Sequence, residues 1–293
     1  MRITEKFRKP GKLFSFEFYP PKTEGDAQKL FETIKDLKSL GPDFVSITNS
    51  SSGIAPYNTV ALSGVIKEKL GLEVMAHLTC IGHTRDAIAA IAGRLKTMGI
   101  ENVLALRGDI HNIKGIAPKR DYRYASELAK DLAAMGSFSI GAAGYPEKHP
   151  EAPDMETDIA NLKKKTDAGA GFVITQLFFE NRFYFEYVEK AREAGVSVPV
   201  LPGLMPLTSY NQLKNFTDMF HVSLPRVVTE NIEKYAADKD SLLKFSVDYA
   251  TEQAAELIKN GAPGIHFYTL NRSKATKEIL SRLKGIAPGA VHE

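Results

Sequence analysis

Eight short apolar runs, each followed by a stretch with helical spacing, constrain the fold of this chain more than any other feature. The runs lie at residues 13–18, 44–48, 73–79, 101–108, 138–144, 171–178, 198–204 and 264–270. Strand–helix alternation of this kind favours parallel strands joined by right-handed crossovers. Eight such units in 293 residues predict an α/β fold, a closed (β/α)₈ barrel of the TIM type. An open, doubly wound sheet is the alternative, but no G-x-G-x-x-G follows the first run.

The segments between the runs have the spacing of amphipathic helices. In the first of them Leu30, Ile34 and Leu37 share one face. Such patterns cover residues 27–40, 154–168, 182–194 and 240–260. The seventh and eighth runs are separated by about sixty residues, which predicts extra helices inserted between strands 7 and 8. Because no linker-like run rich in Pro, Gly or Ser divides the chain, a single catalytic domain over residues 1–293 is expected.

Composition excludes several functional classes. The net charge is +3 and no block of Lys or Arg stands out, so a nucleic-acid partner is not expected. Cys80 is the only cysteine, which excludes a disulfide framework, and no H-x-x-H or C-x-x-C spacing suggests a metal centre. No apolar run reaches the roughly 18 residues of a membrane span, and the N-terminus lacks the apolar segment of a signal peptide. A cytoplasmic protein without a membrane partner is the expectation.

Polar side chains end nearly every predicted strand. The active sites of such barrels gather at the C-terminal ends of the strands, so these positions are the candidates. They are Glu17, Thr48, Asn49, Ser50, His77, Thr79, Arg107, Gly108, Asp109, Tyr145, Glu147, His149, Gln176, Tyr268, Asn271 and Arg272. So consistent a pattern predicts a large polar ligand over the barrel mouth.

A carboxylate inside the first apolar strand is the most unusual of these positions. Alternation places Phe14, Phe16 and Phe18 on one face of the strand and Ser15 and Glu17 on the other. If the phenylalanines pack against helices, Glu17 points into the barrel, where desolvation would raise its pKa and suit it to general acid catalysis. The alternative is a buried Glu paired with an interior Arg or Lys.

The fourth strand ends in a cation, a glycine and an anion. Arg107 could clamp a phosphate or carbonyl, Gly108 allows close backbone approach, and Asp109 could accept from the N–H groups of a heterocycle. A structural Arg–Asp pair is the competing interpretation.

The fifth strand leads into a loop stiffened by prolines, which presents Tyr145 and His149. The helix that follows carries Asp158, Asn161 and Lys165 on one face, with Lys164 beside it. A ligand-binding face is plausible there, although most polar helix faces are simply solvated. His77 taken alone is better interpreted as a satisfied core histidine, Phe216 is ambiguous, and the aromatic group at residues 176–188 is expected in the core.

Together these motifs resemble the methylenetetrahydrofolate reductase family over nearly the whole chain. The matching strings, in order, are "FSFEFYPPK", "FVSIT", "AHLTC", "LALRGD", "AAGYPEKHPEA", "DIANLKKKTDAGA", "ITQLFFE", "LPGLMPLTSY" and "HFYTLNR". The resemblance implies a barrel with non-covalent FAD that reduces 5,10-methylenetetrahydrofolate to 5-methyltetrahydrofolate, in one-carbon metabolism and methionine biosynthesis. NADH or NADPH would pass hydride to the flavin, leave, and be replaced by the folate in a ping-pong cycle. The length matches bacterial forms that consist of the catalytic domain alone.

The resemblance also implies residue roles. Glu17 would assist protonation of folate N10, and Asp109 would stabilise positive charge on the folate. Gln176, Phe216 and Arg272 would bind the folate. FAD would be held by Thr48, His77, Arg107, Gly108, Asp109, Ala125, Tyr145, His149, Asp158, Asn161, Lys164 and Lys165.

The chain departs from the family pattern in two places. Asn49, Ser50 and Ser51 stand where the family commonly has Tyr-Gly-Ala, which leaves the electron donor open, and Lys164 stands where some relatives have arginine. The first departure motivates an alternative in which a partner electron-transfer subunit supplies the electrons. A catalytically silent folate- or flavin-binding barrel is a further alternative, and a homo-oligomer is left open.

Overall fold

A single parallel sheet forms the centre of the protein. The computed structural model describes residues 1–49, 59–108, 121–207 and 222–286. The strands are β1 Leu13–Phe18, β2 Phe44–Ile47, β3 Val74–Thr79, β4 Asn102–Leu106, β5 Ser139–Gly144, β6 Phe172–Thr175, β7 Val200–Leu201, β8 Gly203–Leu204 and β9 Gly264–Tyr268. Their order is β7-β6-β5-β4-β3-β2-β1-β9-β8, and β7 and β8 are two halves of one strand, so the sheet closes. The predicted (β/α)₈ barrel is confirmed.

Helices surround the barrel. They are α1 Ile3–Lys6, α2 Glu24–Lys38, α3 Thr59–Leu70, α4 Arg85–Thr97, α5 Ala125–Ala134, α6 Met155–Asp167, α7 Asn181–Glu193, α8 Arg226–Lys234, α9 Lys239–Lys259 and α10 Lys274–Ile286. The extra helices predicted between strands 7 and 8 are present as α8 and α9. No helix in the described part of the chain is both long and apolar enough to span a bilayer.

Side-chain alternation on β1 sorts the core into two layers, as predicted. Phe14, Phe16 and Phe18 belong to the large apolar cluster between strands and helices. Leu13 belongs to a smaller cluster inside the barrel, where Ser15 and Glu17 also point, since they alternate with the phenylalanines. Glu17 therefore faces the lumen.

The N-terminal end of the barrel is closed by α1, which sequence reasoning missed. Ile3 is fully buried in the interior cluster, and its backbone N–H donates to Asn102 Oδ1 at 2.8 Å. Within the described ranges, the lumen is therefore plugged at this end, and its pocket opens at the other.

The seventh strand is broken at Pro202. Because proline has no N–H, the ladder changes partners there: β7 pairs with β6, while β8 pairs with β9. Gly203 fits this closure because a Cβ at its position would lie 2.4 Å from the backbone oxygen of Thr175 and 2.6 Å from the ring of Tyr268.

Candidate active site

Glu17 lies at the base of a pocket at the open end of the barrel. Its side chain is buried, and Oε2 lies 3.4 Å from His266 Nε2 and 3.5 Å from Ser46 Oγ. His77 Nε2 is also 3.4 Å from Oε2. Among the residues that the structure describes, the basic groups in contact with this carboxyl are two imidazoles, and not the Arg or Lys that the structural alternative required.

His266 is a site residue that sequence reasoning missed. It is fully buried, and its Nδ1 lies 2.7 Å from Ser15 Oγ, so the ring bridges Ser15 and Glu17. The signal was present in the alternation of β9, but the pairing of Ser15 with His266 joins strands at opposite ends of the sequence. Only closure of the barrel brings them together.

Two opposing effects act on the pKa of Glu17. Burial raises the pKa, whereas the hydrogen bond with His266, electrostatic attraction to the His77 and His266 rings, and the hydrogen bond from Ser46 lower it. The lowering contacts outweigh burial, so the pKa of Glu17 lies below its usual value in the ligand-free protein. Burial acts in the predicted direction, but the expectation of a raised pKa for Glu17 is wrong for the ligand-free state.

His77 is not the satisfied core histidine that its strand position suggested. Burial lowers its pKa to about 4, so the ring is neutral near pH 7. Its Nε2 is buried and has no hydrogen-bond partner in the described structure, since the nearby Glu17 oxygen lies outside good hydrogen-bond geometry. An unsatisfied polar atom of this kind is costly unless a ligand satisfies it.

The pocket above Glu17 has a volume of about 180 Å³. Its lining consists of Glu17, Tyr19, Thr48, His77, Leu104, Leu106, Ala143, Tyr145, Ile174, Gln176, Leu177, Met205 and Tyr268. Six predicted site residues are thus brought together: Glu17, Thr48, His77, Tyr145, Gln176 and Tyr268. Tyr19 and the apolar members, among them Met205, were missed because apolar positions carry no chemical signal in a sequence.

A second, larger cleft of about 480 Å³ adjoins this pocket and shares Leu106, Ala143 and Tyr145 with it. It is bounded by α5, α6 and the loop after β5. The predicted residues in its lining are Arg107, Ala125, Tyr145, His149, Asp158, Asn161, Lys164 and Lys165. The polar face predicted on α6 thus forms one wall, and Tyr124, Ser126 and Glu151 are additional lining residues.

Three cations line this cleft. Arg107 forms a bidentate pair with the exposed carboxylate of Glu151, with one contact of 2.7 Å. Burial lowers the pKa of Lys165 to about 8, although Asp158 opposes the shift, and its Nζ donates to the backbone oxygen of Ala143 at 2.6 Å. Lys164 extends from the exposed side of α6. The cleft therefore suits an anionic ligand group.

The wall formed by α6 is held in place by its own polar contacts. The helix begins where Asp154 Oδ1 accepts from Thr157 N at 2.7 Å, at the residue that the sequence predicted. Asp158 is buried and accepts from the backbone N–H of His149 at 3.1 Å, which fixes the loop after β5 against the helix. The rings of Tyr145 and His149 pack edge to face at 4.6 Å. These contacts preform the cleft.

Some predicted residues are not brought into either cavity. Gly108 follows Arg107 with φ +90°, and a Cβ there would lie 2.7 Å from Ile81, so only glycine fits this turn. Arg272 is exposed on the loop after β9. Asp109, Phe216, Ser50 and Ser51 lie outside the described residues. Asn49 donates to Thr79 Oγ1 at 2.5 Å, which joins the ends of β2 and β3.

The fold and the site define a (β/α)₈-barrel enzyme with a buried carboxyl at the base of a ligand pocket. The family model described as "Methylenetetrahydrofolate reductase" matches residues 2–284. The chain belongs to the methylenetetrahydrofolate reductase family, whose members are oxidoreductases.

Relatives are found in bacteria and eukaryotes. The chain is 37% identical over 275 residues to "5,10-methylenetetrahydrofolate reductase" of Salmonella typhimurium, covering 94% of this chain and 91% of that protein. It is 33% identical to "Probable methylenetetrahydrofolate reductase (NADPH)" of Caenorhabditis elegans, covering 96% of this chain and 44% of that protein.

A solved structure from Clostridium thermocellum has the same fold, with a TM-score of 0.68 at 15% identity. The alignment covers 97% of this chain and 98% of that one. It is described as an uncharacterized protein that binds two copies of 5-methyl-5,6,7,8-tetrahydrofolic acid. At this identity the likeness establishes the fold alone.

Proposed function

We propose that this chain catalyses the FAD-dependent reduction of 5,10-methylenetetrahydrofolate to 5-methyltetrahydrofolate, with NADH or NADPH as donor in a ping-pong cycle. This reaction serves one-carbon metabolism and methionine biosynthesis. The observation that carries the proposal is Glu17, a buried carboxyl between two imidazoles at the base of a pocket. Family membership and the adjoining cationic cleft support it.

The residues present fit FAD. Arg107, Lys164 and Lys165 supply positive charge for a diphosphate, and the Glu151 carboxylate that pairs with Arg107 is exposed enough to be displaced. The orphaned Nε2 of His77 would gain a partner. The residues that would hold the cofactor are Thr48, His77, Arg107, Gly108, Asp109, Ala125, Tyr145, His149, Asp158, Asn161, Lys164 and Lys165. When bound, FAD supplies hydride transfer from NAD(P)H to the folate.

Glu17 supplies the proton. Its Oε2 would protonate N10 of the folate as the bond from N10 to the methylene carbon breaks, which opens the five-membered ring and leaves an N5 iminium whose methylene carbon accepts hydride. A planar substrate seated over the pocket excludes water, which moves the pKa of Glu17 upward from its lowered value in the ligand-free protein. His266 Nε2, 3.4 Å from Oε2, is placed to hold the carboxyl in its orientation at the base of the pocket.

The remaining roles concern substrate binding. Gln176 lines the Glu17 pocket and would hydrogen-bond the pterin. Asp109 would stabilise positive charge on the folate, Phe216 would stack on the folate or nicotinamide, and Arg272 would contact the folate near the mouth. A single domain over residues 1–293 and a cytoplasmic location remain predictions.

The test is spectroscopic. Purified protein should be yellow, with absorbance at the flavin maxima that is bleached anaerobically by NADH or NADPH. Addition of 5,10-methylenetetrahydrofolate should restore the colour and yield 5-methyltetrahydrofolate. A colourless protein that takes up no FAD would contradict the proposal, as would a reduced flavin that the folate fails to reoxidise.

Asn49 favours a second candidate, in which a partner electron-transfer subunit supplies the electrons. The Asn49 side-chain amide donates to Thr79 Oγ1, and its oxygen accepts from the hydroxyl of Thr59, the first residue of α3. A hydrogen-bonded polar side chain therefore stands where the family pattern has an aromatic ring. This candidate predicts that NADH and NADPH both fail to bleach the protein, while dithionite-reduced protein still converts the folate. Direct bleaching by either nucleotide would exclude it.

A further inference from the structure

The loop that follows β9 is fastened to the end of β1, the strand that carries Glu17. Thr269 is buried, and its Oγ1 donates to the backbone oxygen of Glu17 at 2.6 Å. Thr269 Oγ1 in turn accepts from the backbone N–H of Asn271 at 3.2 Å. The backbone at the catalytic carboxyl is therefore held by a loop 252 residues away in sequence.

Asn271 holds the residue just beyond β1 by both of its polar backbone groups. Its Oδ1 accepts from Tyr19 N at 2.8 Å, and its Nδ2 donates to Tyr19 O at 3.0 Å. The side-chain amide thus makes the two hydrogen bonds to Tyr19 N–H and C=O that a neighbouring strand would make if β1 continued. We call these two contacts the Asn271 clasp.

The backbone of this loop is strained to present the clasp. Leu270 has φ +51° and Asn271 has φ +57°, two consecutive residues in the left-handed region. Asn tolerates that region, but a leucine side chain disfavours it. Strain of this kind persists where surrounding contacts fix it, and it concentrates at ligand sites.

The residue that the clasp holds lines the catalytic pocket. Tyr19 borders the same cavity as Glu17, yet its side chain is 38% exposed. Burial raises the pKa of the Tyr19 hydroxyl, and the charge of Glu17, which lines the same pocket, raises it further. A large aromatic surface left open at the mouth of this pocket suits stacking against a planar ring.

We propose that Tyr19 contacts an aromatic ring of the folate and that Asn271 is a positioning residue which acts through Tyr19. The Asn271 clasp fixes the backbone of Tyr19, so that its ring borders the pocket. Thr269 fixes the backbone of Glu17, two residues earlier, on β1. This inference rests on the proposed function and adds two residues to the folate site.

The test is a double-mutant cycle on substrate binding. Asn271→Gly keeps the left-handed backbone and removes the clasp. We expect it to raise the KM for 5,10-methylenetetrahydrofolate and the calorimetric Kd for 5-methyltetrahydrofolate about tenfold, the scale of one aromatic contact. Bleaching by NAD(P)H should change by less than about twofold, and the double variant with Tyr19→Ala should bind no worse than Tyr19→Ala alone.

Asn260→Gly, at the end of α9 on the opposite face of the barrel, is the matched control and should leave the Kd unchanged. The inference would be overturned if the losses of folate affinity in the two single variants multiplied in the double variant. It would also be overturned if Asn271→Gly slowed bleaching by NAD(P)H as much as it weakened folate binding. If Asn271→Gly does not fold, Asn271→Asp serves instead. Aspartate keeps the oxygen that accepts from Tyr19 N–H, but it replaces the amide donor with a carboxylate oxygen that repels Tyr19 O. An unchanged Kd in Asn271→Asp would then overturn the inference. Wild-type protein that binds no 5-methyltetrahydrofolate would overturn the proposed function as well.

Discussion

Around Glu17, single residues decide what the pocket can do. Burial alone would make a carboxyl a weak acid, but His266, His77 and Ser46 reverse the shift in the ligand-free protein. The inward direction of Glu17 could be predicted from the alternation of β1. Its partners could not, because they come from strands whose register only the closed barrel sets.

Because the pKa of His77 is lowered in the folded protein, we expect the protein to lose stability in acid. The folded protein resists protonation of this ring down to about pH 4, whereas in the unfolded chain the ring takes up a proton near its ordinary value of about 6.5. The unfolded state therefore binds more protons in this window, and the free energy of unfolding falls as the pH drops through it, by up to about 1.4 kcal/mol per pH unit.

We expect His77→Gln to flatten that dependence in urea unfolding measured between pH 7 and pH 4.5. His83→Gln, on the loop after β3, is the matched control and should keep the wild-type slope. An unchanged slope in His77→Gln would show that the ring is not held neutral by the fold.

Among the elements, the broken seventh strand shows what a sequence pattern leaves undetermined. Its existence and position were predicted, and so were the other strands and the helix α6 with its polar face. The change of partners at Pro202 depends on a closed ladder that no local pattern encodes. The fourth and sixth runs extend past their strands, because residues such as Arg107 and Gln176 belong to the loops that build the site.

Gly203→Ala tests this closure. The added Cβ would meet Thr175 O at 2.4 Å and the Tyr268 ring at 2.6 Å, so we expect a loss of about 1–3 kcal/mol in the free energy of unfolding. Because Tyr268 lines the Glu17 pocket, the KM for the folate should rise as well.

Gly93→Ala is the control for the same chemical change. Gly93 lies within α4 with no neighbouring atom within 4 Å of an added Cβ, so alanine should stabilise the protein by up to about 1 kcal/mol. Equal effects of the two substitutions on stability would contradict the account of the closure.

In the whole molecule, the residues that stabilise the barrel core at its N-terminal end lie apart from the cavities at its C-terminal end. The plug α1 closes one end, and the two cavities lie at the other. The barrel was predictable because eight alternating units recur along the whole chain. The plug was not, because one buried turn of helix has too few residues to form a pattern.

Ile3→Ala should therefore destabilise the protein without altering its chemistry. Loss of this fully buried side chain is expected to lower the free energy of unfolding by about 2–5 kcal/mol, and Ile3→Val by about 0.5–1.5 kcal/mol. At a temperature where both variants are folded, kcat and KM should match the wild type. A selective loss of kcat in Ile3→Ala would show that the plug and the site are coupled.

The most direct test of the central claim is the folate half-reaction of Glu17→Gln, measured after anaerobic reduction of the bound flavin. The substitution keeps the shape of the side chain and removes its proton. We predict a loss of at least about a hundredfold in the rate of folate reduction, within the range of general acid catalysis, while reduction by NAD(P)H is retained. The exposed Glu32→Gln on α2 should behave as wild type, and an undiminished folate rate in Glu17→Gln would contradict the role assigned to the buried carboxyl.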